Sequence, residues 1–331
     1  MRRSRGLRLA SLLVCALLAG QSGATADGTG NVPVPVHGAD GNVYTSAPVA
    51  VPGTGGQLFS GPDFDVACAL GDGFRHSLDK LARLADIIER SGRTAVWTLG
   101  YNKSSVLPRR LVLDALPHGS CDRDGLRTQR RLVRTYDDPE YLPLADKLSG
   151  SRRQTYFRTD QHWTTVGGAV FAKALASRLS PSLAKQQKYA YGTEQFQGML
   201  NDIRGIYAPE TAETASPAGR VRTSTRAGEW AGYPEIVFDH SWRSSPSRRT
   251  YPGRTVVVGD SFAWFALENL RPLFRHGRWM WFAYSDPDDV VQAIVDADTV
   301  VLEVYQLFAS MTTLTERPFL NKLRQALRKA S

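Results

Sequence analysis

The sequence predicts an α/β fold in which helices cover both faces of a mainly parallel sheet. Three observations carry that expectation. Residues 94–99 (TAVWTL), 255–258 (TVVV) and 299–304 (TVVLEV) are almost continuously apolar, as strands buried on both faces must be. Segments of helical period lie between them, so strands and helices alternate along the chain. The 331 residues are enough to bury a full core in one large domain or two small ones.

The elements follow in order. Residues 1–26 carry a basic start (Arg2, Arg3, Arg5, Arg8), an apolar stretch at 9–20 too short for a comfortable span, and Ala24-Thr25-Ala26 as a cleavage pattern. They read as a signal peptide, with an uncleaved anchor as the alternative. Residues 27–50, rich in Gly, Pro, Val and Ala, read as an extended leader, and 51–331 as the folded domain. Ser77 is a plausible N-cap for a helix with Leu78, Leu81, Leu84, Ala85 and Ile88 on one face and Gly92 as its stop. The strand at 94–99 ends in Asn102-Lys103-Ser104-Ser105. Helical patterns follow at 124–136 and 139–149, then a short strand at 155–158 leading into Asp160-Gln161-His162-Trp163.

A helix from Thr165 carries Ala169, Ala172, Leu175, Ala176 and Leu179, and Gly167-Gly168 predicts its close approach to the sheet. Residues 205–250 read as a long surface excursion broken by one strand at 235–238. The strand at 255–258 stops at Gly259-Asp260-Ser261, and a helix follows at once. A strand at 279–282, a helix capped by Asp286 with Pro287 at its first position, the strand at 299–304 and a basic helix at 315–329 close the chain.

Removing residues 1–26 takes away four arginines and no acid, so the formal charge falls from +9 to +5. A basic protein outside the cytoplasm is suited to anionic polymers, and a solvated arginine-rich surface explains the charge equally well. No basic–aromatic array points to nucleic acid. Past the N-terminus no stretch is long and apolar enough to span a membrane. Cys15 leaves with the signal peptide. Cys68 and Cys121 then form an even pair that suggests one disulfide in an oxidising compartment, two buried thiols being the alternative. The sequence contains no CxxC, no HExxH and no His/Cys cluster, so no metal site is expected.

The chemistry concentrates at two turns. Ser261 sits at the carboxyl end of a strand, where open α/β sheets place their sites, beside backbone N–H groups able to hold an oxyanion. Asp160 and His162 lie one residue apart after another strand. A carboxylate there can accept the imidazole Nδ1 hydrogen bond and leave Nε2 for a serine proton. Taken singly, Asp-x-His reads as a cap beside a surface histidine, and Gly-Asp-Ser as an ordinary turn. Their joint occurrence at strand carboxyl ends points to a Ser–His–Asp hydrolase or acyltransferase.

Phe157-Arg158-Thr159-Asp160-Gln161-His162-Trp163 with Gly167-Gly168-Ala169 resembles the Asp-x-His-Trp segment of the alginate O-acetyltransferase group of SGNH-hydrolase-like proteins. Val258-Gly259-Asp260-Ser261-Phe262 resembles that group's nucleophile turn, and residues 102–108 its Asn-Lys-Ser segment. Gly56-Gln57-Leu58-Phe59 and residues 300–304 are similar to its opening motif and last core strand. The order, Asp-x-His first and Ser later, is permuted relative to ordinary SGNH hydrolases and matches this group.

The resemblance implies an SGNH-hydrolase-like three-layer sandwich. It makes Ser261 the nucleophile, His162 the base and then acid, and Asp160 the orienting carboxylate. Asn102, Lys103 and Gly259 are its oxyanion or substrate candidates, with Lys103 either structural or a contact for an acidic glycan. The implied activity is transfer of acetyl groups onto a cell-wall or exopolysaccharide hydroxyl outside the cytoplasm, with no cofactor and with a membrane-bound acyltransferase supplying the donor. A carbohydrate acetylesterase and a non-catalytic glycan-binding protein are the alternatives. Gln306 stands where the group tends to have arginine, and Gln197-Gly198-Met199-Leu200 lacks the group's acid.

Overall fold

In the computed structural model, which describes residues 35–219, 221–227, 239–247 and 249–330, six strands form one sheet. They are β1 (Thr94–Gly100), β2 (Thr223–Ala227), β3 (Asp239–Ser244), β4 (Tyr251–Gly259), β5 (Phe274–Trp281) and β6 (Thr299–Tyr305), and their spatial order is β1-β6-β4-β5-β3-β2. The first four in that order run parallel, and β3 and β2 add an antiparallel edge. Val256–Val258 and Val300–Leu302 are buried without interruption, which is why those runs carry no polar alternation. This is the predicted α/β class.

Helices flank the sheet in two groups. In one, α1 (Phe74–Glu89) and α5 (Pro287–Asp296) contact α6 (Arg317–Ala330). In the other, α3 (Thr165–Leu179) packs on α4 (Ser261–Leu270). The α1 stripe is the predicted one, with Leu78, Leu81, Leu84, Ala85 and Ile88 all buried. Each large side chain of it contributes roughly 1.5–3 kcal/mol of transfer free energy. The helix starts three residues before Ser77, which is buried within it. Gly92 follows at φ +83°, a conformation that favours glycine. Asp286 caps α5 by accepting the Asp288 N–H at 2.8 Å.

Several expectations need correction. The helical pattern at 139–149 yields a helix only at Ala145–Ser149. Pro139 and Pro143 interrupt the earlier part, which instead runs beside the edge strand β1: Trp97 N–H donates to Glu140 O, and Leu142 N–H to Trp97 O. The expected strand at 155–158 is reduced to a Tyr156–Trp163 bridge, so the Asp-x-His segment is the loop of a tight hairpin. The described residues of 205–250 hold more regular structure than expected. Glu210–Pro217 pairs with Tyr189–Phe196, and β2 and β3 extend the main sheet. The strand expected at 235–238 lies outside the described residues, as does the signal peptide. Within the expected leader, Pro35–His37 and Val43–Thr45 form a small hairpin. Gly168 faces α4, where a Cβ would come 2.9 Å from Ala266 Cα, so the close approach is between helices.

Cys68 and Cys121 are joined by a disulfide, which links helix Gly61–Leu70 to α2 (Ser120–Thr135). The two helices cross closely at Gly125, where a Cβ would meet Ala67 O at 2.0 Å. Beside them His118 is fixed by Asp122 Oδ1 through Nδ1 (2.9 Å) and by Thr45 O through Nε2 (3.0 Å). Among the described residues, Cys68, His118 and Asp122 come near enough to hold a metal ion, but the sulfur already belongs to the disulfide. The bridge spans 53 positions. In the chain-entropy account such a loop stabilises by about 4 kcal/mol. Urea denaturation of Cys121→Ser should show a loss of that order, and an unchanged midpoint would count against it.

Candidate active site

Ser261 opens α4 directly after β4. Its neighbour Asp260 is the N-cap, accepting the Phe262 N–H at 3.0 Å, which fixes the strand-to-helix turn. From the other side the 155–164 hairpin delivers Asp160 and His162. His162 Nε2 is 2.7 Å from Ser261 Oγ, and His162 Nδ1 is 2.7 Å from Asp160 Oδ1. The three side chains form one hydrogen-bonded line, and all three residues are buried. The turns that carry them are 99 residues apart in sequence.

Aromatic contacts hold the two turns in register. Trp163, fully buried, donates its indole N–H to Phe262 O at 2.8 Å, tying the histidine segment to the nucleophile helix. The His162 ring stacks on Phe265 of α4 at 4.5 Å between centroids. From the sequence, Trp163 belongs to the Asp-x-His-Trp segment and, with Gly167-Gly168, is expected to pack the following helix against the sheet. Its tether between the two turns becomes visible only in three dimensions.

The carboxylate is fixed as firmly. Asp160 Oδ1 also accepts the His162 N–H (3.0 Å), and Oδ2 accepts the Met199 N–H (2.8 Å). Burial alone would raise this carboxyl, but the His162 charge and these hydrogen bonds overcome it and hold the group below its ordinary range. Asp160 is therefore ionised, as a carboxylate that orients an imidazole must be. The Gln197–Leu200 segment thus contributes a backbone donor where the family resemblance implies an acid. Gly198 permits it, since a Cβ there would fall 2.2 Å from Thr159 O. Glu210 clamps the same hairpin, accepting the N–H groups of Arg158 (2.9 Å) and Thr159 (2.7 Å).

The remaining candidates separate cleanly. Asn102 is buried, and neither atom of its carboxamide has a hydrogen-bond partner, while its backbone N–H donates to Gln306 Oε1 at 3.1 Å. Gln306 also donates to Ser105 Oγ (3.0 Å) and Gln129 Oε1 (2.8 Å), so it braces the Asn102 turn from within. Lys103 is no substrate contact. It is fully buried, and its Nζ donates to the carbonyls of Leu58 (2.7 Å), Arg158 (2.9 Å) and Asp160 (2.9 Å).

Burial holds Lys103 down at about 7 even against the upward pull of the Asp160, Glu210 and Asp63 charges. Three carbonyl acceptors match the three protons of an ammonium and exceed the two of an amine, so we assign the charged form. Gly259 is a spacer: its carbonyl accepts the Phe282 N–H, and a Cβ would come 2.7 Å from Ala263 Cβ.

A buried serine, imidazole and carboxylate in line at the carboxyl end of a parallel sheet define an acyl-transferring α/β enzyme of the Ser–His–Asp class. Residues 50–229 match the family model of the SGNH hydrolase-like domain of the acetyltransferase AlgX, which is more than half of the chain. The chain belongs to this SGNH hydrolase-like acetyltransferase family. Asp160 and His162 lie within the matched span, and Ser261 follows it.

Among solved structures, the O-acetyltransferase domain of Pseudomonas putida AlgJ is similar at 19% identity and a TM-score of 0.50, covering 84% of this chain and 99% of that one. Bacillus cereus PatB1 is similar at 12% identity and a TM-score of 0.51, covering 73% and 92%. A DHHW family protein from Eubacterium siraeum has 13% identity and a TM-score of 0.53, covering 83% and 98%. At these identities the likeness is one of fold. No curated protein sequence matches the chain.

Proposed function

We propose that the protein moves an acetyl group, through an acetyl ester on Ser261, onto a hydroxyl of an exopolysaccharide or cell-wall glycan outside the cytoplasm. The observation that carries this reading is the line Ser261 Oγ to His162 Nε2 to Asp160, each link 2.7 Å long.

His162 Nε2 takes the Ser261 proton as Oγ attacks the donor carbonyl carbon. The Ser261 N–H and the unpartnered Asn102 carboxamide are the donors for the resulting oxyanion. On collapse the leaving group departs with the proton from Nε2, and the acetyl ester remains. A sugar hydroxyl then gives its proton to Nε2 and attacks the ester carbonyl, and Ser261 leaves with that proton. Asp160 stabilises the imidazolium in both halves.

The disulfide suits an oxidising compartment, and the N-terminal 26 residues supply a route to it. Among the described residues no helix is long and apolar enough to cross a membrane. Acetyl-CoA is confined to the cytoplasm, so a membrane-bound acyltransferase is the partner proposed to supply the donor.

The test is to incubate the protein from residue 27 onward with 4-nitrophenyl acetate, with and without an oligosaccharide acceptor, and to follow both products by mass spectrometry. Acetylation of the Ser261 peptide and of the sugar is the expected result. Free acetate at the same rate with or without sugar would make the protein an esterase. An acetyl group on another residue would overturn the assignment of Ser261.

A further inference from the structure

A second pair of acids lies directly beneath the nucleophile turn, and the acyl-transfer scheme does not use it. Asp260 and Glu303 are both fully buried. Glu303 projects from β6, the strand between β1 and β4, into a slot that two glycines keep open. A Cβ on Gly100 of β1 would come 2.5 Å from Glu303 Oε1, and one on Gly259 of β4 would come 3.0 Å from Oε2.

The two carboxyls divide the backbone donors of the turn between them. Glu303 Oε2 accepts the N–H groups of Asp260 (3.2 Å) and Ala263 (3.0 Å). Asp260 Oδ1 accepts the Phe262 N–H (3.0 Å), and its Oδ2 accepts the Tyr305 N–H (2.5 Å). Of the four successive donors from Asp260 to Ala263, three are therefore taken. Among the described hydrogen bonds, only the Ser261 N–H has no acceptor in the protein.

We infer that Glu303 is a positioning residue for acyl transfer: as a neutral acid it engages the Asp260 and Ala263 N–H groups, leaving the Ser261 N–H as the turn's donor to the oxyanion. The inference rests on Ser261 being the nucleophile. Two ionised carboxylates side by side in a buried slot repel each other, and they also oppose negative charge on a substrate oxygen above them. A single proton on Glu303 removes both costs. Glu303 Oε1 has no donor aimed at it, so an ionised Glu303 would leave one buried oxygen without a hydrogen bond. Burial, and then the Asp260 charge, raise the Glu303 carboxyl well above its ordinary range, while burial raises Asp260 to about 6.

The titratable groups that bear on the pair are His162, which favours the charged form of Asp260, and Tyr156 and Tyr305, whose own ionisation the pair disfavours. The neutral form of Glu303 is the working one. Because its carboxyl is raised, that form is complete at low pH and is lost as pH rises through the raised ionisation.

The test compares Glu303→Gln, Glu303→Ala and Ser261→Ala in the acetyl-transfer assay across pH. The glutamine amide oxygen can accept both N–H groups and cannot ionise. Glu303→Gln should therefore keep kcat within about threefold of wild type and lose the fall in kcat on the alkaline side. Glu303→Ala frees two donors beside Ser261. It should lower kcat by roughly 100-fold with KM nearly unchanged, the scale of one oxyanion donor. If Glu303→Ala does not fold, the pH profile of Glu303→Gln decides alone. An alkaline fall that persists in Glu303→Gln, or a wild-type kcat in Glu303→Ala, overturns the inference while a silent Ser261→Ala leaves the nucleophile in place. An active Ser261→Ala overturns both.

Discussion

Ser261→Ala is expected to lower kcat for acetyl transfer by a factor on the order of 10⁴ or more, with the fold intact. The serine is small and faces His162, so alanine removes one oxygen and leaves the packing of α4 untouched. Phe262 and Ala263, which anchor that helix turn, are fully buried. His162→Ala should cost about as much, and the double variant little more than either, since the two groups act in one step.

Asp160→Ala should cost less in chemistry, because Asp160 orients the base and does not react. It also releases the Met199 N–H, so part of its effect should appear as reduced stability. Steady-state rates with thermal melts on the same samples separate the two effects. Equal rates for wild type and Ser261→Ala would remove the serine from the mechanism.

Lys103→Met is expected to be the most destabilising single change near the site. Methionine fills a similar volume but donates nothing, so the carbonyls of Leu58, Arg158 and Asp160 lose their shared partner. Each buried acceptor left unsatisfied costs about 1–3 kcal/mol, partly offset because a buried cation no longer has to be desolvated. A net loss of about 3–5 kcal/mol in urea denaturation is expected. Activity should fall as well, because two of the three carbonyls belong to the hairpin that carries Asp160 and His162. A variant as stable as wild type would mean that the ammonium is not the brace described.

The parallel strands and the residues that meet at the candidate site were legible because their signals are local. An unbroken apolar run, a Gly-Asp-Ser turn and an Asp-x-His pair are each read within a few residues. What supports them was not legible, for a physical reason. Met199 acts through its backbone N–H, which no side chain advertises. For Lys103 the sequence leaves a structural role and a glycan contact both open, because the three acceptors that decide for the structural one come from segments 45 to 57 residues away.

Glu303 left a trace that could have been followed. An acid inside Val300-Val301-Leu302-Glu303-Val304 has to find partners in a strand buried on both faces. The helix expected at 139–149 failed for the opposite reason. Its apolar spacing was sound, but Pro139 and Pro143 and the open edge of β1 prevailed over it.

The strand order has a consequence for the protein while it is being made. β6 is the last of these six strands to be synthesised, yet it lies between β1 and β4, one place in from the β1 edge of the sheet. Until residues 299–305 emerge, no strand joins β1 to β4, and the spacing between their ends is not set. The Asn102 turn and the Ser261 turn therefore cannot be held in place. The Tyr305 N–H that anchors Asp260, and the Tyr305 hydroxyl that reaches back 242 residues to Asp63, arrive at the same moment. Such distant closures come late in folding. A chain still being synthesised thus holds its serine and histidine apart, and the candidate site assembles only as the whole sheet closes.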